Sequence, residues 1–178
     1  NNMRYLVASD VHGSSFYANK LIEKFLEEKC DKLILLGDLY YHGPRNDLPY
    51  EYAPKEVIKL FNSYKDKIIA IKGNCDAEVD EMVSEFKFVT SYEEVIDGKK
   101  ILFTHGHHLD ELKEHYDVVV FGHIHLLTDE EKDGTRFVNP GSVSIPRNDN
   151  SRNYLIIDQD KFEIKNLLTS EVVDSFAI

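Results

Sequence analysis

A chain of 178 residues can bury the core of one domain of two or three layers, and 42% apolar with 30% charged residues is an ordinary globular composition. A formal net charge of −11 argues against a surface built to coat nucleic acid, which needs a large basic footprint. No apolar stretch approaches a membrane span, the N-terminus lacks a signal-peptide pattern, and Cys30 and Cys75 form no CxxC or disulfide framework; a cytoplasmic location is expected.

In chain order, the first strand-like run is Tyr5 to Ala8, closed by Asp10 and His12. Ser15 to Lys29 follows, with Phe16, Ala18, Leu21, Ile22, Phe25 and Leu26 at helical spacing. A second strand-like run, Leu33 to Leu36, ends in Gly37 and Asp38. The segment from Leu39 to Ala53 is long, irregular and rich in Tyr, Pro and Asn, as lids and binding surfaces are. Pro54 suits a first helical turn, with Val57, Ile58, Leu60, Phe61 and Tyr64 as the buried face. Ile68 to Ile71 closes on Asn74, Ile101 to Phe103 on His105 and His107, and Val118 to Phe121 on His123 and His125. Shorter helices are expected over Asp76 to Phe86 and Leu109 to His115. The last third changes to short strands at 136–138, 154–158, 162–168 and 172–177. Alternating β and α units predict a mainly parallel sheet flanked by helices, and two packed sheets covered by helices would accommodate that half and the strand-rich end in one domain. A single domain over residues 1–178 is expected, with Asn1 and Asn2 before Met3 read as a cloning remnant.

The polar residues that close these runs carry the chemistry. In an open α/β sheet ligands bind beyond the carboxyl ends of the strands, so Asp10, Asp38, Asn74, His105 and His123 are expected at one edge. Asp10 and His12, like His123 and His125, are one residue apart, the spacing by which an extended segment aims two side chains at one place. Carboxylate, amide and imidazole donors together suit Mn²⁺, Fe²⁺, Ni²⁺ or Zn²⁺ better than Ca²⁺. Gly37, Gly73, Gly106 and Gly122 stand beside these residues, where tight turns need them.

The order Asp-x-His, Gly-Asp, Gly-Asn, His-Gly-His, Gly-His-x-His resembles that of the calcineurin-like metallophosphoesterases. Within that superfamily, Gly-Asp-x-x-x-His-Gly-Pro-Arg-Asn at 37–46, Gly-Asn-Cys-Asp-x-Glu-Val-Asp-x-Met at 73–82 and Asn-Pro-Gly-Ser-Val-Ser-Ile-Pro at 139–146 are similar to those of YfcE-type bacterial phosphodiesterases. The resemblance implies a four-layer α/β/β/α sandwich of two mixed sheets flanked by helices. It implies two divalent ions, Mn²⁺ first, with Fe, Ni, Zn or Mg as alternatives. Asp10, His12, Asp38 and His125 would hold one ion, and Asp38, Asn74, His105 and His123 the other, with Asp38 shared. The activity implied is hydrolysis of a small phosphodiester by a metal-bridging hydroxide, with Asp38 and Asn74 counted among the catalytic residues.

Two departures bear on that activity. Many phosphatases of the superfamily place a general-acid His after the metal-binding Asn and an orienting Asp three residues after the shared Asp. Here Cys75 and Tyr41 stand there. Without a placed acid, alkoxide leaving groups are hard to expel, so diesters with good leaving groups are the expected substrates. His42, where such phosphatases often have a phosphate-gripping Arg, is the candidate replacement acid, and Arg45 a candidate grip on the phosphate. Cys75 is expected to be filler, Asp76 a helix cap, His107 a substrate or supporting contact and His108 exposed. Tyr40, Tyr50 and Tyr52 either line a wall for an aromatic group or pack the loop down. The alternatives to a diesterase are a phosphomonoesterase, a nuclease, or a non-catalytic scaffold like the retromer subunit that resembles this family. No membrane partner is expected, nucleic acid is disfavoured, and exposed aromatics in the 39–53 loop leave a homo-oligomer open.

Overall fold

Alternation along β1 (Arg4–Ala8) sets the layering, because successive side chains leave a strand on opposite faces. Leu6 and Ala8 meet the helices; Tyr5 and Val7 face a second sheet. The computed structural model describes residues 3–147 and 151–178, so Asn1 and Asn2 lie outside the described residues. After β1 come α1 (Ser15–Glu27), β2 (Lys32–Leu35), α2 (Pro54–Asn62), β3 (Ile68–Ile71), α3 (Glu78–Val83) and β4 (Phe88–Val89). Next are β5 (Ser91–Ile96), β6 (Lys99–Thr104), β7 (Val118–Val120), β8 (Thr128–Lys132) and β9 (Thr135–Asn139), and finally β10 (Asn153–Asp158), β11 (Lys161–Asn166) and β12 (Val172–Ala177).

Seven strands form one sheet in the order β12-β11-β10-β1-β2-β3-β4, and five form the other in the order β5-β6-β7-β9-β8. Both are mixed. β1 to β4 run parallel and β10 to β12 antiparallel in the first; β6, β7 and β9 run parallel in the second, with antiparallel strands at its edges. The expected sandwich of two mixed sheets with flanking helices is therefore the observed one.

Helix α1 forms where its stripe predicted. Ser14 caps it, its Oγ accepting from the Tyr17 N–H at 3.4 Å, and Tyr17, Ala18, Leu21, Ile22 and Phe25 are buried. Val57 and Phe61 of α2 pack into the same cluster. Each fully buried side chain of this size stabilises the fold by about 1.5–3 kcal/mol. Ile34, Leu36 and Ile71 meet Ile101, Phe103, Val118 and Val120 between the sheets. The expected helix at 109–115 is reduced to a 3-10 turn, Leu109–Glu111, and that at 76–86 to Glu78–Val83. So few residues close too few hydrogen bonds to stand without packing, and neither element buries a residue.

Candidate metal centre

The register of the strands brings the polar ends together. Val7 pairs with Ile34 and Ala8 with Leu35, while Leu35 pairs with Ala70; Asp10, Asp38 and Asn74 each lie a few residues beyond. In the facing sheet Phe103 pairs with Val120, which sends His105 and His123 to the same edge. Two groups of donor atoms result, one of Asp10, His12, Asp38 and His125, the other of Asp38, His105 and His123, with Asn74 Oδ1 2.8 Å from His105 Nε2 and 3.1 Å from His123 Nδ1. Every predicted ligand is thus in one place. The shared atom is Asp38 Oδ2, 3.6 Å from His12 Nε2 and 3.1 Å from His105 Nε2.

The path of the chain differs from the extended one expected. Asp10 and His12 have φ of 57° and 50°, and His123 and His125 of 73° and 58°, all left-handed. The side chains converge by tight turning. His123 and His125 also serve neighbouring groups rather than one, since Ile124 between them reverses the chain, with its N–H bonded to Gly122 O.

Hydrogen bonding fixes what each imidazole presents. His12 Nδ1 lies 2.7 Å from Tyr41 O, His105 Nδ1 2.7 Å from Leu36 O, and His125 Nδ1 3.1 Å from Ile145 O. A carbonyl only accepts, so each Nδ1 carries the proton and each Nε2 turns a lone pair inward. His12 Nε2 and His125 Nε2 then face each other at 3.1 Å, with buried Asp10 Oδ1 3.4 and 3.3 Å away and without a hydrogen-bond partner. Buried lone pairs aimed at one another repel unless positive charge lies among them. This donor set fits a divalent cation, and ligating histidines characteristically give their other N–H to a carbonyl in this way.

Where no cation lies among these donors, a proton on an inward nitrogen takes its place. Burial lowers the pKa of His105, but the hydrogen bond to Asp38 and the charges of Asp10 and Asp38 outweigh it and push the value up to about 9. His12 moves upward against its burial for the same reason, through Asp10 and Asp38. Asp10, despite complete burial, is held well below the usual carboxylate range by the facing imidazoles of His12 and His125 and by the charge of His105. His123 is lowered by burial and by neighbouring His105.

The residues around the ligands are as specific as the ligands. Ser9 Oγ donates to Asp10 Oδ2, and the His123 N–H reaches the same oxygen at 2.9 Å. Ser142 and Ser144 donate to Asp10 O and Val11 O, and Asn139 to Gly122 O at 3.0 Å. These come from the 139–146 motif, whose Asn and Ser residues the sequence displayed without showing what they hold. Asp76 corrects the expected helix cap: its oxygens accept the N–H groups of Asp38 and Gly73 at 2.7 Å and of Leu39 at 2.9 Å. Asp80 closes α3 instead, accepting from the Ala77 N–H. Burial pushes Asp76 up to about 6, against those three donors.

A cleft of about 750 Å³ opens over both groups, lined by His12, Asp38, Asn74, His123 and His125 and by Tyr41, Arg45, Cys75 and Arg147. Arg45 is among the residues that line it. His42 is not among the lining residues; its ring lies edge-on to Tyr41 and Tyr52, with Nδ1 buried and unbonded, so its placement does not support the acid role. The Tyr40 hydroxyl bonds Ser84, Tyr50 packs on Phe16 and Tyr17, and Tyr52 packs on His42, so these three hold the loop down; Tyr41 faces the cleft. The Cys75 thiol is pushed up to about 12, first by burial and then by Asp38, Asp76 and Asp10, so it stays protonated at neutral pH. His107 lies edge-on to His105, outside the cleft, and His108 is exposed. Arg147 had no signal in the sequence beyond following the 139–146 motif.

Known proteins resemble the chain over nearly all of its length. The calcineurin-like phosphoesterase superfamily domain matches residues 3–161. The chain is 38% identical over 182 aligned positions to phosphodiesterase YfcE of Escherichia coli K12, covering 99% of this chain and 98% of that one. It is 31% identical over 151 positions to phosphodiesterase MJ0936 of Methanocaldococcus jannaschii, covering 78% and 83%. The solved structure of E. coli YfcE, described as a phosphoesterase, superposes with a TM-score of 0.93 at 35% identity over 99% of this chain and all of that one. By sequence, fold and donor set together, this chain belongs to the calcineurin-like phosphoesterase superfamily and is a metal-dependent phosphoester hydrolase.

Proposed function

We propose that the protein is a phosphodiesterase working with two divalent cations, Mn²⁺ being the one to test first. Asp10, His12, Asp38 and His125 would hold one, and Asp38, Asn74, His105 and His123 the other. The observation that carries the reading is Asp38 Oδ2, one buried oxygen facing both groups of donors, while Oδ1 is held by the Cys75 N–H at 2.7 Å. Such a pair, when bound, makes hydroxide available from water near neutral pH and offsets charge gathering on the phosphate. YfcE and MJ0936 are both named phosphodiesterases, which supports the diester over the monoester.

This chain's own residues then set what is cut. Arg45 can hold a non-bridging oxygen through its fork of N–H groups. Asn74 presents its amide oxygen between His105 and His123. Beside the reacting centre the cleft offers a protonated thiol at Cys75 and a carboxylate at Asp76 already taken by three N–H groups. The thiol holds its proton too tightly and the carboxylate has its oxygens occupied, so neither is a well-matched acid for the departing oxygen. Aryl esters, whose leaving groups need no proton, are the expected substrates.

Protein reconstituted with Mn²⁺ should hydrolyse bis-p-nitrophenyl phosphate well and p-nitrophenyl phosphate poorly, and Asp38→Asn should abolish both. Folded protein that turns over no diester with Mn²⁺, Fe²⁺, Ni²⁺, Zn²⁺ or Mg²⁺ would overturn the reading.

A further inference from the structure

The chain has five arginines, and three are engaged. Arg4 pairs with Glu28 and Asp158, Arg136 with Asp129, and Arg152 lies over the Tyr17 ring with an N–H on Ser144 O. Arg45 and Arg147 both line the cleft, and among the described residues neither guanidinium has a carboxylate partner. In a chain of net charge −11, two arginines left unpaired in one cavity call for an anion.

They come from separate walls. The backbone N–H of Arg147 donates to His125 O at 2.8 Å, which ties it to the Asp10, His12 and His125 side. Arg45 sits in a turn where Asn46 Nδ2 donates to His42 O at 2.9 Å and where Gly43 packs against Cys75, next to Asn74. Tyr41 and Ile124, each partly exposed, line the space as well and give an organic group something to lie on.

Charge decides how many anions the cleft needs. Under the proposed function, on which this inference rests, Asp10, Asp38, a hydroxide nucleophile and the single charge of a diester already match a pair of divalent cations. Asp76 turns its oxygens to backbone N–H groups and meets neither guanidinium. One arginine can grip the diester, and the other has no carboxylate partner among the described residues. We infer that Arg147, which lines the same cleft as Arg45 from a different segment, selects phosphodiesters whose retained alcohol carries a second phosphate. The guanidinium fork suits phosphate oxygens, and a phosphate monoester brings nearly two charges at neutral pH.

The test compares thymidine 5′-(p-nitrophenyl phosphate) with the same compound bearing a 3′-phosphate, so that diester and leaving group stay constant. The 3′-phosphate should lower KM about tenfold or more in the Mn²⁺ protein. In Arg147→Gln the ratio between the two substrates should fall toward one, a comparison in which any general loss of activity cancels. Calorimetry gives a readout without turnover. Thymidine 3′,5′-bisphosphate should bind the wild type about tenfold more tightly than thymidine 5′-monophosphate, and the variant should bind the two alike. Equal KM values and equal affinities in the wild type overturn the inference while leaving the diesterase standing. Absence of turnover with bis-p-nitrophenyl phosphate would instead remove the reading beneath it.

Discussion

Five of the predicted ligands, Asp10, His12, Asp38, His123 and His125, stand on left-handed backbone, which costs a residue with a Cβ on the order of 1 kcal/mol or more. The strain persists because neighbours over-determine it: the His12 N–H donates to Asp38 O at 2.8 Å, the Asp10 N–H to Gly37 O at 3.2 Å, and the Asp38 N–H to Asp76. Each strand can then end in a side chain aimed inward with no further length of loop. At the same scale, the departure from the acid-bearing pattern of related phosphatases is a matter of two side chains. Tyr41 and Cys75 both line the cleft, so a His at 75 with an Asp at 41 to orient it would restore an acid beside the centre. The double variant Cys75→His, Tyr41→Asp should raise kcat on diesters with alkyl leaving groups by up to about 10²-fold. Aryl diesters should gain far less. Equal gains for both leaving groups, measured over a series of leaving-group pKa values, would show that protonation is not what limits this protein.

Between elements the tolerance is set by glycines that have no room for a Cβ. A Cβ at Gly122 would meet Ser9 Oγ, Ser9 Cβ at 2.8 Å and Asp10 Oδ2 at 2.7 Å, pressing β7's exit loop against the end of β1. Gly122→Ala should cost about 1–3 kcal/mol by overpacking and weaken Mn²⁺ binding together with it, read by thermal melting and by calorimetric metal titration. At Gly98, in the β5–β6 turn, a Cβ meets nothing within 4 Å. Gly98→Ala should lower the melting temperature only through its φ of +75° and leave metal affinity intact. Unchanged metal binding in Gly122→Ala would mean that the close approach does not position Asp10. These two sites also mark how far a sequence can be read. The strands that lead to ligands were legible, because β-branched runs ended in Asp, Asn or His and the sheet edge does the rest. Edge strands β5 and β8 were not: Ser-Tyr-Glu-Glu-Val-Ile alternates only weakly, and Thr-Asp-Glu-Glu-Lys has no apolar residue to betray it. What Asp76, Ser142 and Arg147 do depends on segments far away in the chain meeting them, and no local pattern encodes that.

At the scale of the molecule, the two sheets are joined at an edge as well as through the core between them. Arg136 of β9 lies 3.7 Å over the Phe176 ring of β12 while pairing with Asp129 of β8 at 2.8 Å, which links the last strand of one sheet to the other sheet. Asp174 of β12 enters the same junction with a buried Oδ2 that no donor among the described residues reaches and with carboxylate Asp129 as its neighbour. Two carboxyl groups so placed are best served by one shared proton. Hydrogen bonding to Asp129, and then burial, push Asp174 up to about 6, while Arg136 holds Asp129 below its ordinary value. Since the Asp174 pKa is higher folded than unfolded, the folded state holds a proton that the unfolded chain gives up. The stabilisation is therefore fully present below about pH 4 and lost as the pH rises through about 6. Asp174→Asn imitates the protonated form. It should leave the melting temperature nearly unchanged at pH 4 and raise it by about 2–4 °C at pH 8, the shift expected for roughly 1 kcal/mol in a chain of this length, with partial exposure keeping the gain no larger. A melting-temperature difference that is the same at both pH values would show that the junction is held by shape and by Arg136 alone, without a shared proton.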